Sequence, residues 1–145
     1  MTKFKISDRP YTLTELYQCI QDRPKIILDE SIVALVNKSR NIVDEVVESD
    51  KIIYGINTGF GKLSQVVIDK EDIKKLQYNL IVSHAVGVGE PVDDDIVWMM
   101  LLLKIISLAK GYSGVRIELL SSLTSLINSG YLPIIPSQGS VGASG

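Results

Sequence analysis

The apolar positions near the N-terminus predict a short strand followed by a helix. Phe4-Lys5-Ile6-Ser7 alternates between apolar and polar residues, which favours a strand. Thr12 and Glu15 have the spacing of a capping box, in which each side chain satisfies a free backbone N–H at a helix start. Pro24 ends the predicted helix, because proline cannot continue one. The apolar stripe of this helix is Leu13, Leu16 and Ile20.

Two further helices are predicted before residue 90. The second covers about residues 31–48, and its apolar stripe is Ile32, Leu35, Val36, Val43, Val46 and Val47. A third begins near Asp69, and Gly87 and Gly89 are predicted to end it. One face of this third helix carries Ile73, Leu76, Leu80 and Ile81, with His84 next along that face.

The last two helices are the most apolar. Asp93-Asp94-Asp95 precedes the segment 96–106, and acidic residues stabilise a helix N-terminus. This segment is apolar nearly all round, which is typical of a central helix that is enclosed on every side. A fifth helix is predicted over residues 116–128, with Gly130 as its cap. We therefore predict a mainly α fold with short extended pieces near the N-terminus.

Composition excludes several classes of function. The 145 residues carry 15 basic and 17 acidic side chains, so the net charge of −2 provides no basic surface for nucleic acid. The longest apolar run, Ile96–Leu103, is far shorter than the roughly 20 residues that span a bilayer. Cys19 and His84 are the single cysteine and histidine, which cannot form a disulfide or a metal cluster. With no secretory signal after Met1, we expect a cytoplasmic protein with no metal and no membrane or nucleic-acid partner.

A glycine-rich loop follows the apolar pair Ile52-Ile53. It reads Tyr54-Gly55-Ile56-Asn57-Thr58-Gly59-Phe60-Gly61, and its glycines permit positive φ angles and close approach of the backbone. The loop lacks the Lys-Ser/Thr ending of a phosphate-binding P-loop, and on its own it is also typical of a plain turn. Tyr54 is its candidate chemical group, because a phenol beside a positive field can act as a base.

The pair Ser83-His84 ends the predicted third helix. A single histidine at a helix C-terminus commonly has a structural role, in which it hydrogen-bonds the last carbonyls or interacts with the helix dipole. As a functional group it can contact a polar substrate. Both interpretations stay open for His84 at this point.

The chain closes on Gly139-Ser140-Val141-Gly142-Ala143-Ser144-Gly145. Its composition is that of a flexible segment, but a tight bend would allow a second chemistry. The amide nitrogen of Gly145 can attack the carbonyl carbon of Ala143, since a residue with a Cβ would block such a turn. Loss of water closes an imidazolone ring, and a second dehydration at Ser144 leaves an exocyclic methylidene. That product is a strong electrophile made from the backbone.

Four stretches, taken together, resemble the family of ammonia-lyases that use a methylidene-imidazolone (MIO) group, and most closely its histidine ammonia-lyase branch. The resemblance covers roughly residues 54–145. It consists of the Tyr54–Gly61 loop, the segment from Gln77-Tyr78-Asn79-Leu80 to Gly89-Glu90-Pro91, the segment Leu108–Val115, and the segment Pro133–Gly145 with its Ala-Ser-Gly motif. One departure is Ile106, where the family usually has Asn; it removes a local hydrogen bond.

The resemblance implies a long-helix fold of the ammonia-lyase type and an MIO group formed autocatalytically from Ala143-Ser144-Gly145, with no external cofactor. It implies removal of ammonia from L-histidine to give urocanate, with Tyr54 as acid or base and His84 and Ser83 as substrate-binding residues. Relatives that act on tyrosine or phenylalanine tend to have His-Leu or Phe-Leu at the positions of Ser83 and His84. The polar Ser-His pair suits an imidazole, because a site with an unmet hydrogen-bond partner rejects an apolar ring.

The resemblance also implies a homotetramer whose active sites combine several subunits. We therefore expect residues 1–145 to be the N-terminal part of a longer lyase, inactive alone and with unmodified Ala143-Ser144-Gly145. One alternative is an MIO-dependent lyase or aminomutase that acts on tyrosine or phenylalanine. Another, from a different class, is a helical scaffold without catalysis. A small helical bundle with a flexible tail is the alternative for the organisation of the chain.

Overall fold

The computed structural model describes residues 2–49, 51–59, 61, 66–69 and 71–139. Contacts divide the chain into two compact units, Met1–Asn41 with Val92–Ile135 and Ile42–Pro91 with Pro136–Gly145. The described residues are mostly helical, with short strands, so the predicted fold class is confirmed. None of the described helices has the length and the apolar character that crossing a membrane requires.

The first unit contains a two-stranded parallel sheet joined by a helix. Strand β1 (Lys3–Ile6) pairs with β2 (Lys25–Leu28), and Lys3 lies opposite Lys25. Helix α1 (Leu13–Asp22) makes the crossover that a parallel pair requires. β1 confirms the predicted strand. The buried core of this unit comprises Ile6, Cys19, Ile26, Ile32, Val36, Trp98, Leu102, Ile105, Ala109, Leu120 and Ile127.

Helix α1 begins with the predicted capping box. Thr12 Oγ1 accepts a hydrogen bond from the Glu15 N–H at 3.2 Å, and a Glu15 carboxylate oxygen accepts one from the Thr12 N–H at 2.8 Å. The predicted apolar stripe is wrong at Leu13, which is 85% exposed. The face that meets the core is centred on the buried Cys19, with Leu16 beside it, so Leu13 in the first turn stays in solvent.

Helices α2 (Glu30–Glu48) and α5 (Ile117–Ser129) lie close to their predicted bounds. Along α2, Ile32, Val36 and Val46 are buried, as the predicted stripe requires. Gly130 ends α5 in the left-handed conformation with φ +76°, which confirms its predicted role as a cap.

Helix α4 (Asp94–Ala109) is less enclosed than predicted. Asp93 caps its N-terminus by accepting a hydrogen bond from the Asp95 N–H at 2.8 Å. One face is buried and carries Val97, Trp98, Leu102, Ile105 and Ala109. The face opposite is apolar but open, with Ile96, Met100 and Leu103 45–55% exposed. The prediction of a helix enclosed on every side is therefore wrong within this chain, because its neighbours cover only one face.

The turn after α4 contains part of the family-like segment Leu108–Val115. The Gly114 N–H donates to Ser39 Oγ at 3.0 Å, and an Arg40 guanidinium nitrogen donates to the Gly114 carbonyl at 3.3 Å. Gly111 has φ +71°, and a Cβ there would lie 3.0 Å from the Leu35 carbonyl oxygen. Ile106 packs against the hydrophobic core, so an apolar contact occupies the position where the family usually has an asparagine.

The second unit pairs two strands that are distant in sequence. Helix α3 (Ile73–His84) is followed by β3 (Gly87–Pro91), which pairs antiparallel with β4 (Pro136–Gly139). The predicted bounds of α3 were wrong at both ends. The helix begins after Asp72, and Gly87 and Gly89 lie in β3. Strand β4 was not predicted, because a Pro- and Gly-rich sequence has no alternating apolar pattern.

Candidate active site

The candidate residues that the structure describes, Tyr54, Ser83 and His84, all belong to the second unit. Ala143, Ser144 and Gly145 lie outside the described residues. The chain that leads to them is described as far as Gly139, the last residue of β4. The described part of the candidate site consists of the Tyr54 turn, the end of α3 and the β3–β4 pair.

Tyr54 lies in a turn that is closed by one buried side chain. Asn57, only 7% exposed, accepts a hydrogen bond from the Ile53 N–H at 2.9 Å and donates one to the Lys51 carbonyl at 2.7 Å. Both backbone amides of Ile56 and Asn57 also donate to the Ile53 carbonyl. Tyr54 itself is 62% exposed at the tip of the turn. The arrangement holds the backbone on both sides of Tyr54.

The second half of the loop is hydrogen-bonded to the backbone of residues 66–67. Thr58, 1% exposed, forms a β-bridge with Val67, and the Gly59 N–H donates to the Val66 carbonyl at 3.0 Å. The structural roles of Asn57 and Thr58 were not predicted from the sequence. The role of Asn57 could have been predicted from its place between two glycines, since Asn side chains commonly hydrogen-bond the nearby backbone in turns.

Ser83 and His84 form a small hydrogen-bonded group at the end of α3. Ser83 Oγ donates to the Leu80 carbonyl at 3.0 Å and lies 3.1 Å from His84 Nδ1. The same ring nitrogen lies 2.8 Å from the Leu80 carbonyl oxygen. Both side chains are exposed. His84 thus contacts the last turn of its helix, as the structural interpretation expected, and its Nε2 atom faces away from that contact.

The β3–β4 pair brings two distant segments of the chain together. Gly139 lies opposite Gly87, which follows His84 by three positions, and precedes Ala143 by four. Four residues reach at most about 14 Å. The strands approach too closely for a side chain at Gly87, where a Cβ would lie 2.7 Å from Pro136 Cγ. The pairing therefore holds Gly139 beside the residues that follow α3.

The clear pKa shifts belong to the first unit. The Arg9 guanidinium, 2.7 Å from the Glu15 carboxylate, and the hydrogen bonds from Thr12 lower the pKa of Glu15 to about 2. An ion pair with Lys5 and hydrogen bonds from Ser31 hold the pKa of Asp29 well below its usual range. Burial raises the pKa of the Cys19 thiol. These pKa shifts thus belong to two structural ion pairs and to a thiol in the hydrophobic core of the first unit.

Metal chemistry has no obvious site in the part of the chain that the structure describes. No group of three or more His, Cys, Asp or Glu side chains there is arranged to hold an ion. The candidate chemistry of the second unit consists of a phenol, an imidazole and a hydroxyl.

Comparisons with known proteins agree on one family. The sequence matches the aromatic amino acid lyase family over residues 11–145. It is 46% identical over 145 residues to a histidine ammonia-lyase of Alkaliphilus oremlandii, a match that covers all of this chain and 29% of the relative. The chain thus spans less than a third of that relative's length.

Solved structures have the same fold. Histidine ammonia-lyase from Trypanosoma cruzi matches with a TM-score of 0.84 and 33% identity, over 96% of this chain and 27% of that one. Phenylalanine aminomutase from Pantoea agglomerans matches with a TM-score of 0.85 and 31% identity, over 97% of this chain and 27% of that one. From its fold and from the match over nearly its whole length, the chain belongs to the aromatic amino acid lyase family.

Proposed function

We propose that this protein is part of a histidine ammonia-lyase, which converts L-histidine to urocanate and ammonia in histidine catabolism. In this proposal Ala143-Ser144-Gly145 forms the MIO group, Tyr54 acts as acid or base, and Ser83 and His84 bind the substrate. A homotetramer and a cytoplasmic location belong to the same proposal. The assignment to histidine rests on the Ser-His pair and on the relatives with the same activity in their names.

One structural observation carries the proposal. The pairing of Gly87 with Gly139 joins the segment after His84 to the segment before Ala143. The ladder thus places Gly87, three positions after the proposed substrate-binding pair, beside Gly139, although 52 residues separate the two glycines in sequence. A flexible tail would not need strands so close that position 87 must be glycine.

The residue types at the end of the sequence support the proposed MIO group. The ladder holds the backbone that leads to Ala143, and the residue types Ala-Ser-Gly are those that the cyclisation needs. When formed, the group supplies an electrophile that makes the substrate's amine a better leaving group. The reaction then breaks the C–N bond at Cα and removes a proton from Cβ, and the C–H electron pair becomes the new double bond.

The chain's own residues supply binding and proton transfer in this proposal. Tyr54 takes or returns a proton, and the Asn57 hydrogen bonds that brace its turn support this role. His84 orients the imidazole of the substrate through its ring nitrogen. The precise position of both groups matters, because a fixed geometry lowers the entropic part of the barrier.

A substrate comparison tests the proposal. The protein is incubated with histidine, tyrosine and phenylalanine, in the complete lyase that contains this chain, and the formation of urocanate, coumarate or cinnamate is followed by absorbance. Urocanate as the main product supports a histidine ammonia-lyase. Formation of coumarate, cinnamate or a β-amino acid would instead support an MIO-dependent lyase or aminomutase that acts on tyrosine or phenylalanine, an alternative that the fold match to a phenylalanine aminomutase keeps open. No turnover with any of the three would favour a scaffold without catalysis.

A further inference from the structure

We propose that the outer edge of β1 binds an extended acidic segment of another protein, which adds to the sheet as a third strand. A sheet edge accepts such a segment through main-chain hydrogen bonds, and the side chains along the edge select its sequence. This edge belongs to the first unit, whereas Tyr54, Ser83 and His84 belong to the second, so the two proposals are independent.

Two residues of β1 have unpaired backbone groups on this edge. The Ile6 carbonyl accepts from the β2 side, so the groups of Lys3 and Lys5 point to the other edge, because the direction alternates along a strand. Farther along, the Tyr11 hydroxyl accepts from the Ser7 N–H at 2.8 Å and donates to the Ser7 carbonyl at 3.0 Å. Among the described residues nothing binds the outward groups of Lys3 and Lys5 in this way, which leaves two donors and two acceptors for a strand.

A cleft of about 490 Å³ lies beside these groups, between β1 and α1. Residues 2–5 and 7 line it on the strand side, and one stripe of α1 lines it on the other, formed by Glu15, Gln18, Cys19 and Asp22. Strand β1 has four residues, which extend over about 13 Å at the usual rise. The cleft therefore offers room for an extended segment of about the same length as β1.

The lysines on the outer face of the sheet select acidic residues. Lys3 lies opposite Lys25, both are exposed, and neither has an ion-pair partner among the described residues. Lys5, on the same face, pairs with Asp29. Like charges opposite each other destabilise a sheet, and carboxylates on an added strand would neutralise the lysines. The outer face therefore favours a strand with acidic residues at alternate positions.

The other face of the added strand lies in the cleft. Its side chains would contact Phe4, and Asp22 disfavours a further carboxylate there. We therefore expect a segment that alternates acidic and apolar residues. A second copy of this chain does not fit, because a second β1 would place its own lysines beside Lys3 and Lys5.

Binding of the peptide acetyl-Glu-Val-Glu-Val-Glu-amide to the 145-residue chain tests the proposal. Fluorescence anisotropy of the labelled peptide gives the dissociation constant, and amide hydrogen exchange locates the site. At saturation, exchange at Lys3 and Lys5 should slow by about two- to tenfold, as one net hydrogen bond at each amide would give. The Phe4 amide, which faces β2, should change little. Unchanged exchange at both lysines would overturn the proposal.

Matched probes and variants separate strand addition from attraction between charges. The same peptide N-methylated at every residue keeps its charge but has no backbone donors along the strand, and it should bind at least about tenfold more weakly. Lys3→Gln should raise the dissociation constant of the parent peptide about two- to fivefold, as loss of an exposed ion pair would. Lys38→Gln, at an exposed position of α2, should leave it unchanged.

Three results would overturn the proposal. The first is equal affinity for the N-methylated and the parent peptide. The second is equal affinity of the Lys3→Gln and Lys38→Gln variants for the parent peptide. The third is binding of oligothymidylate as tight as that of the peptide, with the same slowing of exchange at Lys3 and Lys5, since a nucleic acid cannot form a β-ladder and would indicate a general anion-binding surface.

Discussion

The side-chain amide of Asn128 binds both backbone groups of Ile26. Its Oδ1 accepts from the Ile26 N–H at 2.8 Å, and its Nδ2 donates to the Ile26 carbonyl at 2.7 Å. The neighbouring Lys25 N–H donates to the Thr2 carbonyl on the β1 side. Because successive residues of a strand direct their backbone groups to opposite edges, the N–H and carbonyl of Ile26 point away from β1. An asparagine at the end of α5 thus occupies the place of a third strand.

This contact predicts the effect of Asn128→Ala. The substitution leaves a buried N–H and carbonyl of Ile26 without partners, so the free energy of unfolding should fall by about 2–3 kcal/mol. Urea unfolding of the chain measures the change. Asn37→Ala, at an exposed position of α2, is the matched control and should cost little. An equal loss in both variants would show that the Asn128 bonds contribute nothing specific.

The capping box of α1 predicts a pH dependence. Folding lowers the pKa of Glu15 from 4.5 to about 2, so the folded state favours the charged carboxylate. Its stabilisation is complete above pH 4.5 and is lost as the pH falls toward 2. The parent chain should therefore be more stable than Glu15→Gln at neutral pH and equally stable near pH 2.

Urea unfolding at a series of pH values checks this prediction. Glu45→Gln, at an exposed position of α2, controls for the loss of one negative charge. A stability difference between the parent chain and Glu15→Gln that stays constant down to pH 2 would contradict the assigned ion pair with Arg9.

The turn that carries Tyr54 depends on Asn57. Asn57→Ala leaves the Ile53 N–H and the Lys51 carbonyl unpaired, which should cost about 1–3 kcal/mol of local stability. Amide hydrogen exchange at Ile53 measures the loss of protection. Asn79→Ala, on the exposed side of α3, should leave that amide unchanged. Unaltered exchange at Ile53 in Asn57→Ala would mean that other contacts hold the turn.

Close packing of β3 on β4 predicts that Gly87→Ala is destabilising. The new Cβ would lie 2.7 Å from Pro136 Cγ, and a proline ring cannot move aside as a flexible side chain can. We expect a loss of about 1–3 kcal/mol, seen as faster exchange of the β4 amides. Gly55→Ala is the comparison, since that position is strained at φ +81° but has no atom within 4 Å of the added Cβ. It should leave the β4 amides unaffected.

The proposed catalysis predicts two different effects in the complete lyase. In the proposed mechanism Ser144→Ala removes the hydroxyl whose loss forms the methylidene, so turnover should nearly vanish while folding is retained. Tyr54→Phe should keep the MIO group but reduce kcat by about 10²–10⁴-fold, the usual contribution of a general acid or base. Mass spectrometry separates the two, because formation of the MIO group lowers the mass by two waters. Near-normal turnover by Ser144→Ala would contradict the mechanism.

Local sequence signals predicted the elements with repeating apolar patterns. The strand β1, the capping box at Thr12 and Glu15, the helices α2 and α5, and the cap at Gly130 all follow from interactions within a few residues. The family was also accessible from sequence, because its motifs are contiguous stretches at characteristic spacing. These features need no knowledge of which distant segments meet.

Tertiary structure decided the features that depend on distant partners. Strand β4 exists because β3 lies beside it, and no period-2 apolar pattern marks either strand. The hydrogen bonds of Asn128 to Ile26 and the exposure of one face of α4 likewise depend on which surfaces meet. The sequence alone determined the family and most of the helices, α3 with its wrong bounds excepted, since both are encoded locally. Only the folded chain determined that Pro136–Gly139 lies beside the residues that follow α3, because that approach depends on backbone pairing between residues far apart in sequence.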